Sequence, residues 1–197
     1  GYDQVVHDLA IQGNPAVLAM DRGGLVGDDG VTHQGLYDIS YLRCIPEIVL
    51  AAPKDEPELR AMLRWAVRSD RLVGLRWPRD TVPEPTDPAP IELGKGHVVR
   101  GGEGDVAFFA YGAMVQHALE ASHLLAHRGL AATVVNARFA KPIDVDLLVD
   151  VLERHDVVLT VEDHSVAGGF GSACAQAVLE RRPDLVSRLR IAGVPDV

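Results

Sequence analysis

The sequence predicts an α/β fold of two doubly wound, mostly parallel-sheet domains, and three observations carry that prediction. Apolar runs of strand length alternate with amphipathic helical runs, the pattern of a parallel sheet covered on both faces. A proline-rich stretch interrupts the alternation near the middle of the chain, and the alternation then resumes. The 197 residues are enough for one large α/β domain or two small ones with buried cores, and the proline-rich interruption favours two.

The first unit covers residues 1–80. "DQVVHDLAIQ" spaces Val5, Val6, Leu9 and Ala10 at helical intervals, and "PAVLAM" follows at strand length. A glycine- and acid-rich loop, "GDDGVTHQ", leads into "GLYDISYLRCI", which reads as a helix, and then "EIVLAAP", a buried strand. "DEPELRAMLRWAVRS" is an amphipathic helix with an Asp cap and a first-turn proline, and "LVGLRW" is another strand. From Pro78 to Gly96, prolines stand at 78, 83, 85, 88 and 90, so residues 81–96 are expected to be an extended linker.

The second unit covers residues 97–197. It runs "DVAFFAY" strand, "GAMVQHALEASHLLAHRG" helix closed by Gly129, "AATVVNA" strand, "DVDLLVDVLERH" helix, "VVLTVED" strand and "GFGSACAQAVLERR" helix. No repeat at a fixed period appears.

Composition narrows the function. Hydrophobic residues at 47% and charged residues at 24% describe a globular protein and not a disordered tail. The formal net charge of −9 argues against nucleic acid or an anionic membrane as partner, since both are bound by clustered Lys and Arg. An anionic small substrate needs only a few local cations, so Arg22, Arg43, Arg76 and Arg79 are judged by position. Cys44 and Cys174 lie far apart without CxxC spacing, giving neither a disulfide framework nor a zinc site and fitting a reducing cytoplasm. No apolar run approaches the length of a membrane span, and the N-terminus has no signal pattern. The abrupt start at Gly1, inside a helical pattern, reads as a piece of something longer.

Ligands of open parallel sheets bind at the carboxyl ends of strands. The loop after "PAVLAM" presents Asp21, Arg22, Asp28, Asp29, Thr32 and His33 at such an end. His33 suits proton transfer near neutral pH, and an adjacent carboxylate would raise its basicity and fix its tautomer. The alternative is a capping loop in which Asp29 and Thr32 satisfy turn and helix-start amides. "RWPRD" lies at another strand end on the same sheet edge, where Arg79 offers a fork for phosphate or, alternatively, is a salt-bridged linker arginine. "EDHSVAGGFGSACA" opens a helix with small residues, which suits either an anion at its N-terminus or close packing of helix on sheet. His7, His97, His117, His123, His127 and His155 stand singly, without metal spacing, and are assigned surface or core roles.

The stretch "DRGGLVGDDGVTHQGLYDISYLRCIPEIVLAAPKDEPEL" resembles the middle of the 1-deoxy-D-xylulose-5-phosphate synthases, thiamine-diphosphate enzymes of transketolase type. The resemblance continues through "RWPR", "VNARFAKPID", "VEDHSVAGGFGSA" and "GVPD", so essentially the whole chain corresponds to that family's second half. It implies that residues 1–80 are part of a pyrimidine-binding domain. Residues 97–197 would form a transketolase C-terminal-type domain without its last helix.

By matching motif, His33 and Asp29 resemble the pair at the reaction centre, and Arg22 and Arg79 the arginines that hold the acceptor's phosphate. The implied reaction joins pyruvate, with loss of carbon dioxide, to D-glyceraldehyde 3-phosphate, in a homodimeric cytoplasmic enzyme that supplies isoprenoid, thiamine and pyridoxal precursors. The cofactors would be thiamine diphosphate and Mg²⁺. The family's GDG motif and activating glutamate precede Gly1 in register, and neither Asn14 nor Asn136 is placed to complete the metal site. No cofactor or metal ligand is therefore expected in this chain, which alone is expected to be inactive and to need a missing N-terminal portion.

Two features depart from the family. Asp80 stands where a glycine usually follows the arginine, and direct pairing of Asp80 with Arg79 would weaken the hold on phosphate. "RLVGLRW" also differs from the usual run before that arginine. Two other readings stay open: a β-like subunit of a split transketolase-type enzyme with another sugar-phosphate acceptor, and a non-catalytic α/β module for dimerisation or effector binding.

Overall fold

Helical crossovers keep three strands of the first sheet parallel, and a fourth strand comes from the far half of the chain. The structure, a computed structural model, describes residues 1–81, 89–102 and 104–195. A helix α1 (Tyr2–Gln4) continues into π-helical turns over Val5–Ala10 and lays Val5, Val6, Leu9 and Ala10 on the core. The strands β1 (Ala16–Met20), β2 (Val49–Ala51) and β3 (Leu72–Arg76) pair in parallel in the order β1-β3-β2. Beside β2 lies β7 (Phe139–Lys141), antiparallel to it.

Asp55 caps α3 (Glu56–Arg68) by accepting from the Glu58 amide at 3.0 Å, with Pro57 in the first turn, as its sequence predicts. The helix α2 (Asp38–Arg43) is shorter than "GLYDISYLRCI" predicts. Its expected first residue, Gly35, instead exchanges backbone hydrogen bonds with Gly24.

The second sheet has the order β4-β6-β5-β8-β9. Its strands β5 (Val106–Ala110), β6 (Ala132–Asn136), β8 (Val157–Ser165) and β9 (Leu189–Val194) are parallel, and β4 (His97–Arg100) is an antiparallel edge. Three helices cover it: α4 (Met114–Ala126), α5 (Val145–Arg154), capped by Asp144, and α6 (Phe170–Arg181). Gly129, at φ +77°, ends the segment after α4 as its sequence predicts. No described helix is long and apolar enough to cross a membrane.

The sequence pattern does not show β4, β7 or β9. Two of them have only three or four residues, too few for a period to register. Pro83, Pro85 and Pro88 of the expected linker lie outside the described residues.

One hydrophobic core joins the halves: Ile39, Leu42 and Leu50 pack in the same cluster as Phe109, Tyr111 and Phe170. A buried polar knot adds to it. The Glu58 carboxylate accepts from Arg138 Nε at 2.7 Å, from Asn136 Nδ2 at 3.0 and 2.9 Å, and from the Lys54 amide at 2.8 Å. Arg138, at φ +60° and 2% exposed, also donates to the carbonyls of Pro90 and Ala89, both at 2.9 Å. With every oxygen of Glu58 satisfied, the charge is compatible with complete burial.

Candidate active site

Parallel pairing puts Met20 opposite Arg76, so the segments leaving β1 and β3 emerge side by side at the carboxyl edge of the first sheet. Gly23 donates to the Trp77 carbonyl at 2.9 Å, and Trp77 to that of Met20 at 3.0 Å. This adjacency brings Arg22 and Arg79 to one point. Arg22 Nε donates to Asp29 Oδ2 at 2.5 Å, and Arg79 Nη1 donates to Asp29 Oδ1. Arg22 also pairs with Asp21, at 2.5 Å. The Arg22 guanidinium, helped by that of Arg79, holds the Asp29 carboxyl below its ordinary range.

Three of the four residues expected at the site are thus in contact. The fourth, His33, is exposed on the same loop, and its Nδ1 shares a 2.9 Å hydrogen bond with Thr32 Oγ1. Among the described residues no hydrogen bond joins His33 to Asp29, whose two oxygens accept from Arg22 and Arg79. Asp80 accepts from the Thr81 amide at 2.6 Å while Arg79 turns to Asp29.

The loop between β1 and α2 is built tightly. Gly24 and Gly35 exchange backbone hydrogen bonds of 2.8 and 2.9 Å, forming a neck. Within it, the Gln34 amide accepts from the Val26 amide at 2.6 Å and donates to the carbonyls of Val26 at 3.0 Å and Gly30 at 2.7 Å. Gln34 is a brace that sequence reasoning misses; its signal was a lone amide side chain inside a loop rich in charges.

Beneath the neck lies a buried polar cluster that sequence reasoning also leaves out, apart from Arg76 as a candidate cation. Arg76 Nε donates to Asp38 Oδ2 at 2.7 Å, while Asp38 Oδ1 has no hydrogen-bond partner and lies 3.6 Å from His164 Nε2. The Ile39 amide donates to His164 Nε2 at 3.2 Å, and Nδ1 lies 2.7 Å from the Ser165 carbonyl, an arrangement that requires the neutral Nδ1–H tautomer. Burial accordingly lowers the His164 pKa.

The helix N-terminus read from "EDHSVAGGFG" is filled by a carboxyl group of the chain itself. Glu162 accepts from the amides of Phe170 at 2.5 Å and Gly171 at 2.8 Å, the first amides of α6. Burial nevertheless pushes its pKa up to about 7. A side chain on Gly169 would meet the carboxylate, its Cβ 2.2 Å from Glu162 Oε2, so the glycine serves the packing reading of that motif. Arg43 is likewise structural, donating to the carbonyls of Gly168 at 3.1 Å and Gly169 at 2.9 Å.

The residues present do not fit a metal-bound diphosphate. Among the described residues no three His, Cys, Asp or Glu side chains are grouped to hold a metal ion. Asn14 is bonded to the Asp8 carbonyl and Asn136 to Glu58. The edge gathers Arg22 and Arg79 around the Asp29 carboxylate, with His33 exposed on the same loop.

Residues 1–85 match the family described as "Transketolase, pyrimidine binding domain", and residues 94–197 match "Transketolase, C-terminal domain". The chain is 49% identical over 203 aligned positions to the 1-deoxy-D-xylulose-5-phosphate synthase of Synechococcus sp. (strain JA-2-3B'a(2-13)), and 46% identical over 202 to that of Synechocystis sp. (strain ATCC 27184 / PCC 6803 / Kazusa). Each alignment covers the whole chain and 31% of the relative, so the chain spans about a third of the length of those proteins. Among solved structures it is similar to a "Split gene transketolase, inactive beta4 tetramer", with a TM-score of 0.89 and 32% identity over 100% of this chain and 63% of that one.

Proposed function

The chain belongs to the transketolase family, and from that membership we propose that it forms the pyrimidine-side and C-terminal domains of a synthase that joins pyruvate, with loss of carbon dioxide, to D-glyceraldehyde 3-phosphate. The observation that carries this reading is the convergence of Arg22 and Arg79 on the single carboxylate of Asp29. Two guanidiniums reaching one anion from adjacent strand ends is the geometry that a phosphorylated acceptor needs.

In this reading Arg22 and Arg79 bind the acceptor's phosphate, and His33 moves protons at the reacting carbons with Thr32 fixing its ring. Asp29 then hydrogen-bonds within the reaction centre once phosphate has replaced it between the arginines. Thiamine diphosphate supplies the carbanion chemistry of the family. Its diphosphate and Mg²⁺ are held by a preceding portion of the protein, which this chain meets in a homodimer.

The test is turnover by the protein at the full length of its relatives, supplied with thiamine diphosphate, Mg²⁺, pyruvate and D-glyceraldehyde 3-phosphate. Release of carbon dioxide with formation of 1-deoxy-D-xylulose 5-phosphate is expected, and its absence overturns the reading. The likeness to the split-gene transketolase favours a second reading, a separate subunit acting on another sugar phosphate. Turnover with a ketose-phosphate donor in place of pyruvate would select it.

A further inference from the structure

The neck of the loop that carries Asp29 and His33 is tied to both sheets, and among the described residues the tying side chains form no hydrogen bond with Arg22 or Arg79. On one side, the Leu25 amide donates to the Asp163 carboxylate at 3.2 and 3.1 Å, and Asp163 lies on β8 of the second sheet. On the other, Arg76 Nη2 at the end of β3 donates to the Gly35 carbonyl at 3.0 Å. The same nitrogen donates to the Asp163 carbonyl at 3.0 Å, which links the two ties directly.

The loop's glycines show how closely these side chains are seated. A Cβ on Gly24, which has φ +93°, would lie 1.8 Å from Asp163 Oδ2, and one on Gly23 would lie 2.9 Å from Arg76 Cζ. Both polar groups occupy the space that loop side chains would otherwise fill. Arg76 is 6% exposed and its partner Asp38 7%, so water does not compete for the guanidinium. The hydrogen bonds of Arg76 therefore hold geometry more firmly than the Leu25–Asp163 bond, which lies at the surface.

We infer that Asp163 and Arg76 are positioning residues for the loop spanning residues 22–35, so that the second sheet sets the placement of His33 and Asp29. Leu25 and Gly35 are the two fixed points, and the reactive residues lie between them. A displacement of about 1 Å at a reacting group can cost up to about a hundredfold in rate. Loss of either tie would therefore reach His33 without touching it.

The kinetic part of the test rests on the proposed reading, and a second readout does not. In the full-length protein, Asp163→Ala and Asp163→Asn are compared by hydrogen exchange over residues 22–35 and by steady-state kinetics. Asp163→Ala is expected to speed exchange at Leu25 and Gly35 by about tenfold or more. It is also expected to lower kcat by about 10- to 100-fold, with a smaller change in the KM for pyruvate. Asp163→Asn, which retains an acceptor for the Leu25 amide, should restore both to within about threefold of wild type.

Unchanged exchange in Asp163→Ala, or an Asn variant as impaired as the Ala variant, overturns the inference. If Asp163→Ala does not fold, Arg76→Lys keeps the charge beside Asp38, loses the Nη2 donor shared by both carbonyls, and is read by the same exchange. A wild-type protein inactive with pyruvate and D-glyceraldehyde 3-phosphate would undo the proposed function and leave the exchange result to decide the anchoring.

Discussion

Arg22 Nε stands 2.5 Å from Asp29 Oδ2, and with Arg79 on the other oxygen the carboxylate is held from two strand ends. Both guanidiniums are about half exposed, so this ion pairing exchanges readily with solvent or with a competing anion. On the proposed function, and in the full-length protein, Arg22→Ala and Arg79→Ala are each expected to raise the KM for the phosphorylated acceptor by about 10- to 100-fold, the worth of one charge-assisted contact. The KM for pyruvate should move little, and steady-state kinetics with each substrate varied in turn check this. An equal effect on both substrates would contradict the division of roles.

If His33 moves protons as proposed, His33→Ala in the full-length protein is expected to lower kcat by about 10²- to 10⁴-fold, the usual contribution of a general acid or base, with cofactor affinity nearly unchanged. Thr32→Val removes the hydroxyl partner of Nδ1 and should lower kcat by a smaller factor, because it frees the ring without deleting it. Titration calorimetry for the cofactor, beside turnover, separates the two effects.

Gly35→Ala would place a Cβ 2.1 Å from the Arg22 carbonyl oxygen. Backbone must give way there, so a loss of about 1–3 kcal/mol is expected by urea unfolding. The shift should also move Arg22 and raise the acceptor KM. Gly30→Ala is the comparison: no atom would meet its Cβ, although φ is +79°, so a loss limited to backbone strain and a near-normal site are expected.

Glu162 makes stability depend on pH. Burial raises its pKa from 4.5 to about 7, so between those values the folded protein holds a proton that the unfolded chain has released. Stability from this group is therefore lost as pH rises through that window. His164 acts oppositely: its lowered pKa makes stability grow as pH climbs towards 6.5. Glu162 Oε2 lies 3.8 Å from His164 Nδ1, so comparing Glu162→Gln with wild type reads the glutamate's share together with its coupling to the histidine. The variant is expected to lack a decline on the order of 3 kcal/mol between pH 4.5 and 7, measured by urea unfolding across that range.

Glu58→Ala would leave Arg138, 2% exposed, without its carboxylate partner. A loss of about 3–5 kcal/mol is expected, as for any buried pair broken from one side. The double variant Glu58→Ala, Arg138→Met should recover part of it.

Much of this architecture was legible because its signals are local. Asp55 and Pro57 mark the start of α3, and Gly129 marks the end of the segment after α4. The charged loop with Arg22, Asp29 and His33 stands out by residue type alone. What stayed hidden depends on distant partners. Nothing near Asp163 in the chain announces that it will accept from Leu25, and His164 sits in a motif whose glycines draw attention to the helix that follows. Asp29 illustrates the limit from the other direction: one of its partners is Arg79, fifty residues away and one strand across.

The antiparallel strand Phe139–Lys141 has a practical consequence for anyone dividing this chain. Lys141 Nζ donates to the carbonyls of Arg43 at 2.9 Å and Ile45 at 2.5 Å, so the strand also fastens the end of α2. A cut in the proline-rich segment would strip the N-terminal fragment of this edge and leave the main-chain groups of β2 open to self-association. The two fragments would be soluble as complements and adhesive as strangers, so co-production, and not separate purification, is the route to either of them.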